Sequence, residues 1–410
     1  MTAPSIARLG RAGVLAALIV CALASLARVA PAQRKNDPKE CPYCHGDPTW
    51  MAKAGIVSHG GFEFGITDTG KVDALLATND IRWIESKHFE LGFALGSMKV
   101  KQEDKAKIRG ELARLAPVLD GIDTKMGVLD PWLRAHLYAM RLEDMYQRFL
   151  DLMQVKDSDF PDGTKLYDMH GKYMGSGPYL GQKGKYEALI VPTEASLQSY
   201  LQTHFGLLVK KTQRWNETTS RDTLSVTING GEDNTREDEA LHGHLAFNIT
   251  INLLDGYKHY SYDTPIWIRE GLAHFVEREI TKKFNSFDSS EGGIAETTRK
   301  ERWEPEVRKL VQSEKQPRMA ELIGMKDYNE LTLPKHFATW SMIDYLVRTN
   351  PTGFAKFNDA LHGILNAKGI PDSGNLPDVH REKFKECLGM TYAEFDAKWA
   401  EWVLATYGAQ

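Results

Sequence analysis

Two neighbouring segments, Glu237 to Leu254 and Ile266 to Lys282, constrain this chain most. From Asp238 the first reads DEALHGHLAFNITINLL, an otherwise apolar helix expected to be buried. Polar side chains nevertheless recur every four residues on two of its faces. Asp238 and His242 lie on one, and His244, Asn248 and Asn252 on the other. Side chains four apart project side by side, which is the spacing at which a helix offers two metal ligands. The second segment, IWIREGLAHFVEREITK, is a helix in which Glu270 and His274 again share a face one turn apart.

In an H-E-x-x-H helix the glutamate is the general base that activates a zinc-bound water. Asp238-Glu239-Ala240-Leu241-His242 fits that pattern with aspartate in place of the first histidine, and Trp267 to Ala273 reads W-x-x-E-G-x-A. This region resembles the active site of gluzincin-type zinc metallopeptidases with one ligand altered. The resemblance runs roughly from Lys185 to Tyr407. It takes in the strand YEALIV, the strand TLSVTI, and the closing segments HFATWSMIDYLV and GMTYAEFDAKWAEWV. It implies zinc held by Asp238, His242 and Glu270, with His274 available to replace a missing ligand. Glu239 would be the base and His336 would lie near the oxyanion. The reaction implied is water attack on a zinc-polarised peptide carbonyl, in a site that is atypical and open to having lost the activity. In a second register His244 and Asn248 take the ligand positions and Leu245 replaces the base, which removes the standard mechanism. The two faces point in nearly opposite directions, so only one of them can meet Glu270.

A separate motif lies upstream. Cys41-Pro42-Tyr43-Cys44-His45 fits C-x-x-C-H, the attachment pattern of c-type haem. In that reading the thiols bond the haem, His45 is the proximal ligand, and Met51 or His59 is the distal one. The same cysteines also suit a local disulfide, or structural zinc with His59 or His45. The haem reading makes the protein a binding or redox module with a non-catalytic peptide cleft.

The N-terminus reads as an export leader over residues 1–32. Arg8 and Arg11 precede the apolar run Val14 to Leu26, and Ala30-Pro31-Ala32 is a small-residue cleavage signal. The expectation is a periplasmic or extracellular protein with no membrane span once the leader is removed. Of 4 cysteines, Cys21 falls in the leader, and the remaining three are too few for a disulfide-stapled fold. The core must then be mainly hydrophobic, which a hydrophobic content of 42% allows. A net charge of −4 with no basic stripe argues against nucleic-acid binding. Peptide or protein is the expected substrate class.

Beyond the leader, the pattern divides into a C-x-x-C-H segment (33–70), a mixed strand and helix region (71–184) and the peptidase-like region (185–410). Ile81 to Val100 alternates like a strand or hairpin, and helices are expected over Glu103–Leu119 and Pro131–Met153. Thr193 is a candidate N-cap for the next helix, and Thr391 with Glu394 a capping box for the last. Strands early and helices late give an α+β fold, a small mixed sheet followed by a mostly helical gluzincin-like domain.

Overall fold

A computed structural model describes residues 40–163, 172–218, 220–232, 235–287 and 301–408. The leader expected at 1–32 lies outside them, as do parts of the loops read at 160–185 and 284–293. In chain order, helix α1 (Pro48–Lys53) precedes β1 (Ile56–Ser58), β2 (Glu63–Phe64), β3 (Thr67–Asp68), α2 (Thr69–Leu75), β4 (Arg82–Ser86), β5 (Phe89–Phe93) and β6 (Met98–Lys99). Then come α3 (Lys105–Leu115), β7 (Val128–Leu129), α4 (Pro131–Met153), β8 (Tyr186–Val191), α5 (Glu194–Phe205), β9 (Gln213–Glu217) and β10 (Thr223–Asn229). The rest is helical: α6 (Asp238–Gly256), α7 (Ile266–Ile280), α8 (Glu304–Gln312), α9 (Met319–Gly324), α10 (Leu333–Thr349), α11 (Pro351–Leu361), α12 (Leu376–Leu388) and α13 (Tyr392–Thr406).

The fold is α+β around a six-stranded mixed sheet ordered β1-β4-β5-β8-β10-β9. The expected hairpin is β4–β5, paired antiparallel from Arg82 opposite Phe93. β8 lies parallel to both β5 and β10, at the centre. Its sequence YEALIV reads as an unbroken run because both sheet faces are covered. Ala188 and Ile190 point into the main core with α4 and α6, while Leu189 and Val191 point into a second cluster with Leu197, Tyr200 and Leu201 of α5. Gly92 in β5 lets Trp83 of the neighbouring strand lie across it, since a Cβ there would come within 2.6 Å of the indole. The sheet also crosses the division read at 184/185, because β5 on one side pairs with β8 on the other. Pro38–Gln410 accordingly forms one compact unit.

Local signals explain the helix ends. Asp130 caps α4, accepting from the Trp132 and Leu133 amides at 2.9 and 3.2 Å, with Pro131 in the first turn. Thr193 caps α5, and Thr391 and Glu394 form the capping box of α13. No helix among the described residues is long and apolar enough to cross a membrane.

Candidate metal centre

The segment Cys41–Asp47 is a tight turn that leads into α1. The His45 amide donates to the Cys41 carbonyl at 3.0 Å, and Asp47 caps the helix. His45 takes the left-handed conformation at φ 53°. This turn directs both thiols inward. Cys41 Sγ accepts from the Tyr43 and Cys44 amides at 3.4 and 3.5 Å, contacts that favour a thiolate. Opposite the thiols stand two imidazoles. Cys41 Sγ lies 3.0 Å from His136 Nε2, and Cys44 Sγ lies 2.9 Å from His59 Nε2. All four ligand atoms fall within 4.8 Å of one another.

The elements around the cluster hold it in place. His136 comes from α4, is 3% exposed, and has Trp132 one turn before it on the same helix. His59 follows β1, and its Nδ1 donates to the Trp83 carbonyl of β4 at 3.0 Å. That hydrogen bond fixes the tautomer and leaves Nε2 as a lone pair aimed at the thiols, the usual support for a metal-ligating imidazole. The Cys44 thiol is pulled down by the hydrogen bond from Cys41, then by His136 and His59. The same contact, and then burial, push Cys41 up. Burial pulls His136 down and keeps its ring neutral.

Two sulfurs and two imidazole nitrogens are donor types that could hold a metal ion such as a structural zinc. Bonds of about 2.3 Å to sulfur and about 2.0 Å to nitrogen would place S and N about 3.5 Å apart. The observed contacts are therefore some half an ångström tighter, and a small opening would admit the ion. His45 leaves the group: its side chain is half exposed and reaches Asp120 at 3.3 Å. Met51 lies on α1, partly buried against the main core. A cleft of about 370 Å³ opens beside His59, lined by Asp68, Asp73, Trp83 and Trp132 among others.

The peptidase-like positions go to three different places. Asp238 starts α6 and is buried against α4. It accepts from Arg141 at 2.8 and 3.0 Å and from the Tyr138 hydroxyl at 2.9 Å. Burial pushes its carboxyl up, but Arg141 outweighs this and holds it below the usual carboxylate range. His242 is buried on the same face, with Lys107 Nζ of α3 at 3.1 Å from its Nδ1. Burial, then Arg141 and Lys107, keep that ring neutral. Glu239 is half-buried and within electrostatic reach of Asp104 and Lys107. This face therefore meets α3 and α4.

The second register meets the β9 side. His244 uses both ring nitrogens, Nδ1 on Ser286 at 2.9 Å and Nε2 on Thr212 at 2.8 Å. Asn248 accepts from Arg214 at 2.8 Å and donates to the His244 carbonyl at 2.9 Å. Glu270 joins neither register. On α7 it gathers with His274 and with His336 of α10, their donor atoms within 4.8 Å of one another and all three side chains fully buried. His274 Nε2 meets His336 Nδ1 at 3.0 Å, and His274 Nδ1 meets Glu277 Oε2 at 3.1 Å. Burial lowers His336 to about 4, with Glu270 pulling the other way, and raises Glu277 well above the usual carboxyl range.

Sequence reasoning missed His136 as a ligand. It is a single histidine on the apolar face of α4, 95 residues from its thiol partner, with no spacing to mark it. No family model matches the chain, and no curated protein matches it.

Proposed function

We propose that this is an exported zinc protein on a peptidase-like scaffold, with zinc held by Cys41, Cys44, His59 and His136, and without a hydrolytic centre on α6. One observation carries the reading: two thiols and two imidazoles from the turn, the β1 end and α4 converge within 4.8 Å, with His59 oriented by the Trp83 carbonyl. Four protein donors leave no open position, so the ion's role is structural. It ties the N-terminal segment to α4. The engagement of Asp238 by Arg141 and of His244 by Ser286 and Thr212 supports the absence of an H-E-x-x-H-type centre. The tight thiol–imidazole contacts and the outward His45 favour zinc over covalent haem.

The test is elemental analysis and intact mass of the purified full chain. Zinc is expected in the wild type, with one equivalent fewer in Cys44→Ser and in His136→Gln, and with no Soret band and no haem-sized mass increase. Glu239→Gln should leave any residual peptide hydrolysis unchanged. A zinc-free wild type, a haem adduct, or hydrolysis abolished in Glu239→Gln would each sink the reading.

A further inference from the structure

The cluster on α7 and α10 meets none of the needs of the cysteine site, yet its chemistry is that of a metal centre. We propose that Glu270, His274 and His336 bind a second divalent ion of the zinc–cobalt class. Two donors come from one face of α7, four residues apart, and the third from α10. The helices approach closely enough because residue 271 is glycine. A Cβ there would come within 2.8 Å of the Thr339 carbonyl oxygen and 2.9 Å of Ile343. Thr339 lies one turn beyond His336 on α10, so this contact sets the height at which His336 faces His274.

The surroundings are those of a supported ligand rather than of a chance cluster. Glu277 Oε2 takes up His274 Nδ1, and Glu277 Oε1 accepts from the Ser286 amide at 2.8 Å. A carboxyl oxygen behind an imidazole is a usual outer partner of a metal-bound histidine, and here it leaves Nε2 facing His336. Phe247, Phe287 and Trp303 pack around the His274 ring, with centroids 5.0, 5.5 and 4.8 Å away. Apolar walls of this kind exclude water and strengthen an ion's attraction for its ligands. Two imidazoles and one carboxylate suit zinc, cobalt or iron(II) far better than magnesium or calcium, which want oxygen alone. Three protein donors also leave a fourth position, which the cysteine site does not have.

This site is independent of the zinc proposed at the cysteines, and one set of proteins separates the two. Zinc content is measured on the full chain, as purified and after saturation, for wild type, Cys44→Ser, His336→Gln and the double variant. Circular dichroism confirms folding, and Glu270→Gln, which is nearly isosteric, serves if His336→Gln misfolds. The expected equivalents are two, one, one and none. Cobalt substituted into Cys44→Ser should give a visible spectrum lacking thiolate charge transfer. A single equivalent that is lost in Cys44→Ser and retained in His336→Gln and Glu270→Gln overturns the second site and leaves the first standing. A single equivalent lost only in the α7–α10 variants upholds it and overturns the first. A wild type without metal overturns both.

Discussion

Replacing Asp238 by alanine separates a structural carboxylate from a metal ligand. Asp238 accepts three charged or hydroxyl hydrogen bonds, and its partner Arg141 is 1% exposed. Removing one member of a buried ion pair costs about 3–5 kcal/mol, because the other charge is left behind in a poor solvent. Arg141 keeps Glu111, which it contacts at 2.9 and 2.8 Å, so the lower end applies, about 3 kcal/mol. The assay is urea unfolding followed by circular dichroism, with zinc content measured on the same samples. The apolar pair Asp238→Leu with Arg141→Met should recover most of the loss, since neither charge is then buried. Stability should fall while the metal content of folded protein stays constant. A cost under about 1 kcal/mol, or loss of metal from a folded Asp238→Ala protein, would refute the reasoning.

Two further outcomes follow from other parts of the fold. Gly271→Ala gains about 1 kcal/mol of helix propensity but forces α7 from α10, for a net loss of about 1–2 kcal/mol by thermal unfolding. It should also weaken the ion bound at His274 and His336, seen as faster loss to a chelator. Burial pulls His362 down to about 4 and His380 to about 3, so both stay neutral in the fold while the unfolded chain takes up protons below about 6.5. The unfolded state then binds more protons, and stability falls as pH drops from about 6.5 towards 4. Unfolding midpoints across that range should drop steeply for wild type and less steeply for His362→Gln with His380→Gln; equal slopes would count against it.

Much of the fold was legible because local signals and the core agreed. YEALIV, the Thr193 cap, Pro131 in the first turn and the Thr391–Glu394 box each have a local cause, and each stands at the end or element expected. The site was legible only as faces. Spacing of four places Asp238 beside His242 and Glu270 beside His274, but the neighbour each face meets is decided elsewhere. Arg141 on α4 draws the first face, and the missing Cβ of Gly271 brings α10 to the second. His136 gave no signal, since a ligand contributed from a distant helix leaves no spacing in the chain.

The contact between Cys41 and His136 joins residues 95 positions apart. With zinc in place it acts as a latch, closing a loop that spans β1, the β4–β5 hairpin and α3. Closing such a loop costs chain entropy that grows only slowly with its length, and because the site is assembled only in the fold, the ion's binding energy offsets that cost. On the proposed zinc site, the packing of the N-terminal segment against α4 would then be conditional on metal supply. Chain made where zinc is scarce should be open to proteases in this region while the central helices remain shut.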